Sequence, residues 1–189
     1  MDHLEQEQKN HSYWNSVLIV GGVFAVVGFV LQLIFGYMQI NSEPTGSLFT
    51  LYSISGIFIC LATCVAGLAA VWHFTTEVSP KLTLGQGAVI GVLTGAAMVI
   101  MSGLLSQFWN FIDPAYNEKI MESMIANFEA SSMDQSLKDQ MIDQTVASME
   151  SSASFLRQLL VGIPFMGILN LLTGLIGVKL FAEKEAETF

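Results

Sequence analysis

Four apolar stretches dominate the chain, at about Val17–Met38, Leu48–Phe74, Leu84–Phe108 and Leu156–Phe181. Each is long enough for a bilayer core of roughly 30 Å, which takes about 20 residues of helix. None contains Asp or Glu, and their only formal charges are Arg157 and Lys179, each near an end. The pattern predicts an all-α fold: an integral membrane four-helix bundle with an extramembrane amphipathic helical hairpin between spans three and four. The boundaries that follow are an N-terminal tail at 1–16, spans one to three within 17–108, the hairpin at 109–155, span four at 156–181 and a C-terminal tail at 182–189. Trp109–Gln158 is the one long polar stretch, so any activity outside the membrane has to be read from it.

Within that stretch the apolar positions return at helical spacing. Tyr116, Ile120, Met121, Met124, Ile125 and Phe128 make one stripe; Leu137, Met141, Ile142, Thr145, Val146 and Met149 make a second. Asp113-Pro114 reads as an N-cap followed by a first-turn proline. Ser132 with Gln135 matches a capping box. No Pro or Gly occurs between Met133 and Val161, so the second helix is expected to run unbroken into span four. Two such helices joined by a tight turn form an αα-hairpin. Its contact surface would be Ile120, Met124, Phe128, Met141, Val146 and Met149, packed on itself, on a second copy or on another protein.

Span three carries Gly87, Gly91 and Gly95 at every fourth position, with Gly103 two steps on. Residues four apart share a helix face, and in lipid such small-residue rows let backbones approach closely. Span two offers Gly56, Cys60 and Cys64, and also Ala62, Ala66 and Ala70; span one has Gly21 and Ala25. These rows serve either packing within one chain or a seam between two. Pro164, flanked by Gly162 and Gly167, predicts a kink in span four.

Composition agrees with the pattern. Hydrophobic residues make up 52% and charged residues 12% of the chain, against about 25% charged in soluble domains, and the mean hydropathy is +0.57. The net charge of −9 excludes a nucleic-acid footprint, and no polybasic cluster suits anionic headgroups. The first apolar run is too long for a signal core and has Lys9 as its one basic leader residue, which predicts an uncleaved span. Lys9, Lys81, Lys179 and Lys184 share the terminal side. Lys119, Lys138 and Arg157 are spread through the longer segment among eight acids. Positive density places both termini in the cytoplasm.

Candidate chemistry is sparse. Transport pathways are usually marked by ionisable residues inside the bundle, and the mid-span polar groups here are Gln32, Thr63, Thr94, Ser102, Asn170 and Thr173. Gln32 and Asn170 are expected as interhelical hydrogen-bond partners. His73 lies at a span boundary with His3 and His11 in the tail, and Cys60 and Cys64 have nothing nearby to complete a metal site. No catalytic, cofactor-binding or metal-ligating residue is expected, and no cofactor.

The layout resembles the bacterial membrane proteins grouped as domain of unknown function 4199. The likeness rests on Ser12-Tyr13-Trp14 before span one, Phe111-Ile112-Asp113-Pro114 closing span three, and Gln140–Gln144 before a Gly-rich last span. It implies an inner-membrane protein of Gram-negative bacteria and carries over no activity, substrate or catalytic residue. Three functional readings stand. The first is a non-enzymatic protein that meets the bilayer and, through its hairpin, a second copy or an envelope partner. The second is a small channel or transporter along Gln32, Thr94, Asn170 and Thr173. A membrane enzyme ranks third, for want of acid–base groups at membrane depth.

Overall fold

The computed structural model describes residues 2–47, 49–152 and 154–183, and for 2–12, 51 and 150–152 the backbone alone. Leu48, Lys184 and the rest of the tail at 184–189, together with the side chains of His3, Lys9, His11, Ser12 and Glu150, lie outside the described residues. Those residues form seven helices and no strand: α1 (Asp2–Ile40), α2 (Leu51–Cys64), α3 (Ala66–Glu77), α4 (Leu84–Ile112), α5 (Tyr116–Glu129), α6 (Gln135–Ser152) and α7 (Phe155–Phe181). Four stretches are long and apolar enough to cross a bilayer: Tyr13–Ile40, Tyr52–Glu77, Leu84–Ile112 and Phe155–Phe181. That is the layout of a multi-pass membrane protein.

Helix α4 lies at the centre, packed most extensively on α7 and next on α1. Its glycine row makes the α7 contact possible. A Cβ on Gly91 would strike the Asn170 carbonyl, one on Gly87 the Val178 side chain, and one on Gly95 would sit 2.6 Å from the Met166 oxygen. The row is therefore a seam within the chain. Gly103 continues it against the Phe155 ring, and from α7 Gly174 faces the Gly87 carbonyl at 2.5 Å. Apolar burial gives helices little attraction in lipid, so this close backbone contact is what holds α4 to α7. Gly21 and Ala25 of α1 do similar work, Gly21 lying 3.2 Å from Ala97.

The structure corrects several local expectations. The N-terminal segment 1–16 is not a separate tail, because α1 is helical from Asp2. Span two is two helices, interrupted at Val65. Helix α6 does not run on into α7: Ser154 is extended, at φ −78° and ψ 111°, and α7 starts afresh at Phe155. Serines at 151, 152 and 154 offer the backbone hydroxyl partners outside a helix, which disfavours helix interiors as effectively as a glycine would. Asp113 ends α4 and does not cap α5, whose N-cap is Ala115. The Ser132–Gln135 box is not made; the Gln135 amide donates forward to Asp139 at 2.9 Å, and the Asp134 carbonyl takes the first α6 bonds.

Candidate functional site

The interruption of span two is held by span four. In a continuous helix the Gly67 N–H would bond to the Thr63 carbonyl four residues back. Here Val65 donates to that carbonyl, and Gly67 donates to Asn170 Oδ1 at 2.6 Å. The Thr173 hydroxyl donates to the Cys64 carbonyl at 2.7 Å. Asn170 is fully buried and passes its own N–H to the Met166 carbonyl at 3.0 Å. An unpaired backbone group in hydrocarbon costs several kcal/mol, so a break at this depth needs neighbouring side chains to re-satisfy it. Asn170 and Thr173 are those side chains.

The break separates two regimes of packing. Beyond it α3 lies along α7 and against α4, whereas α2 largely leaves α7 and runs beside α1. The space so opened, bounded by α1, α2, α4 and α7 and covered by α5 and α6, is a cavity of about 1200 Å³. Phe29 and Gln32, Tyr52, Trp109 and Gln158 stand on its walls. Met121 and Met124 of α5 and Met141 and Met149 of α6 form its cover. Val161, 65% exposed, sits at its rim. The Trp109 indole N–H is buried there without a hydrogen-bond acceptor, its ring edge-on to Phe29 at 6.1 Å and to Tyr37 at 6.4 Å. Arg157 and Glu118 are the two formal charges on the lining.

The cover is latched on one side. Asn127, buried on the inner face of α5, accepts from the Thr45 and Gly46 backbone N–H groups at 3.0 and 3.1 Å and donates to the Ser47 carbonyl at 2.5 Å. Gly46 takes φ +71° here, and a Cβ would lie 2.6 Å from the Ala130 carbonyl, so the connection can close on α5 only with glycine at this position. Gln39 donates to Ser123 Oγ at 3.0 Å, and the Ser123 hydroxyl donates back to the Gln39 carbonyl at 3.0 Å. Tyr37 donates to Asp113 Oδ2 at 2.7 Å, and Lys119 reaches Oδ1 at 3.2 Å. The Tyr37 hydrogen bond holds the Asp113 carboxyl below the usual range, with Lys119 adding to it and desolvation opposing. Burial raises the Tyr116 hydroxyl far above the ordinary phenol, and nearby Tyr52, Tyr37 and Asp113 add to the effect. Tyr116 thus stays a neutral donor, bonded to the Gln32 carbonyl at 3.3 Å.

The family described as Protein of unknown function (DUF4199) matches residues 19–179, from the first span to the last and across α5 and α6. The chain belongs to that family. No curated protein and no solved structure matches it.

In this DUF4199 chain the residues singled out from sequence separate into distinct places. Asn170 sits at the break in span two, and Gln32 on the cavity wall. Gly56 faces open space, and Cys60 and Cys64 are partly buried free thiols of α2, the helix that stays away from α4; that row is no packing seam. Ile120 and Phe128, 1% and 5% exposed, are buried and offer no surface to a partner. Met124, Met141 and Met149 turn into the cavity, and Val146 is half-buried. Asn127, Trp109 and Arg157 did not stand out in the sequence as site residues. Asn127 had a signal, since it lies three residues after Met124 and seven after Ile120, a polar side chain on the buried stripe. Among the described residues no three His, Cys, Asp or Glu groups converge.

Proposed function

We propose that this protein is a non-enzymatic membrane protein that binds a molecule in the covered cavity, with the α5–α6 hairpin as its cover outside the bilayer. The membrane is a bacterial inner membrane, with both termini in the cytoplasm, as the distribution of Lys and Arg supports. One observation carries the reading: a cavity of about 1200 Å³ with a methionine-rich cover and aromatic walls. Small-molecule sites span roughly 300–1,000 Å³ and are lined mainly by apolar and aromatic groups with a few polar ones. Methionine adapts its shape to varied occupants. A polar path through the spans has less support. Thr94 bonds to the Ile90 carbonyl, Asn170 and Thr173 hold the break, and of the four proposed path residues Gln32 alone borders the cavity. Acid–base chemistry has less support too, since Asp113 is engaged by Tyr37 and Lys119. Association with a second copy or an envelope partner would have to use the outer face of α6, where Leu137 is 49% exposed.

The test is extraction of bound small molecules from the full chain purified in mild detergent, beside Thr145→Phe, which adds bulk to the cavity wall. A stoichiometric molecule in the native chain that Thr145→Phe loses supports the reading. Equal content in both chains, or none in either, overturns it.

A further inference from the structure

The cavity lies where span ends meet the inter-span helices, and its lining changes along its depth. Phe29, Leu33 and Val161 stand toward the membrane interior, while Asn117, Gln144 and Arg157 stand toward the outer end. Gln32 is eight residues inside the end of α1 at Ile40, and Gly162 is seven inside the start of α7 at Phe155. At about 1.5 Å per residue the cavity reaches on the order of 10 Å into the spans. A ligand that fits both parts is amphipathic.

The sign of its head follows from the start of α7. Arg157 occupies the third position of that helix, with no acid in the first turn, and Ser154 makes no side-chain cap. A cation beside unsatisfied N–H groups opposes the positive end of the helix dipole, whereas an anion there satisfies both. Within the same cavity the Trp109 indole N–H is a buried donor with no acceptor. Three donor groups, namely a guanidinium, a helix N-terminus and an indole, thus border one space whose sole carboxylate is Glu118.

Resting on the cavity-binding reading, we propose that the ligand is an anionic amphiphile, with its acid group at Arg157 and the start of α7 and its chain between Phe29, Leu33 and Val161. The head is a carboxylate or a phosphate, from a free fatty acid or from a phospholipid of the surrounding bilayer. One positive group facing a single Glu118 favours one negative charge on the head.

The experiment reads Trp109 fluorescence in the full chain carrying Trp14→Phe and Trp72→Phe, since those two indoles are the other tryptophans. Dibrominated stearate, the uncharged dibrominated stearyl alcohol, and bilayers of dibrominated phosphatidylglycerol or phosphatidylcholine serve as quenchers. The expected result is saturable quenching by stearate or phosphatidylglycerol, at least tenfold weaker with Arg157→Gln and retained with Arg157→Lys. Stearate alone assigns a free acid; phosphatidylglycerol alone assigns a membrane phospholipid. Saturable quenching that is the same for the alcohol and unmoved by Arg157→Gln overturns the anionic head and leaves the binding reading intact. Quenching that never saturates and ignores Thr145→Phe overturns both.

Discussion

At the end carrying the connection 78–83, the spans close on side chains that fit. Val17, Val71, Phe74, Ile90 and Val178 are buried there in one cluster, and Tyr13 stacks on Phe74 at 5.0 Å. At the other end the same spans enclose a cavity and need two more helices to cover it. The difference begins at Val65, midway along span two. On one side of it, backbone contact across glycines joins α4 to α7 and α3 follows. On the other, α2 departs with α1. Close packing and open space thus coexist in one set of helices because one span changes partner where a neighbour's side chains permit a break.

The comparison can be broken most severely at the seam. Gly91→Leu would drive a side chain into the Asn170 carbonyl, and overpacking of this kind costs about 3 kcal/mol or more when backbone has to move. Loss of a cooperative thermal transition in detergent is the expected reading. Next comes the break. Asn170→Leu leaves the Gly67 N–H buried and unpaired, a loss of about 1–3 kcal/mol, visible as a lower unfolding midpoint. Thr173→Val removes one donor from the Cys64 carbonyl and should cost about 1 kcal/mol.

At the open end Asn127→Ala removes the bonds to Thr45, Gly46 and Ser47. It should cost about 1 kcal/mol and speed protease cleavage between residues 41 and 47 while leaving the α4–α7 seam intact. A smaller effect is expected from pH. The Asp113 carboxyl is held below its unfolded value, so its contribution is present above the ordinary carboxylate pKa of about 3.9 and is lost as pH falls through the lower folded value. A melting series from pH 6 downward should show this dependence in the native chain and lose it in Asp113→Asn. The smallest effect belongs to Gly56→Leu, which meets open space and should stay within about 0.5 kcal/mol. A large loss there would mean that the outer face of α2 packs on something.

Much of the architecture was legible because a bilayer imposes length and polarity on any helix that crosses it. The glycine row was legible as a close-approach surface, yet its partner was not: period four identifies a face without saying what meets it. The break at Val65 left no local trace, since Ala62-Thr63-Cys64-Val65-Ala66 holds neither Pro nor Gly. Its determinant is Asn170, 103 residues away from Gly67. The separation of α6 from α7 was written locally, in serines whose hydroxyls compete for backbone, although Pro and Gly were the signals sought. The hairpin stripes were visible; that their methionines cover a cavity depends on where α2 goes, which the stripes do not encode.

The central claim is that span two is broken at Val65 and pinned there by span four. Solid-state NMR in bilayers, on a chain labelled with 15N in glycine and 13C in the asparagine carboxamide, measures it directly. The account expects magnetisation transfer between the Gly67 nitrogen and the Asn170 carboxamide carbon, consistent with an N···O separation of 2.6 Å, and its disappearance in Asn170→Leu. A Gly67 amide coupled instead to the Thr63 carbonyl, unchanged by Asn170→Leu, would show an unbroken span and contradict the account.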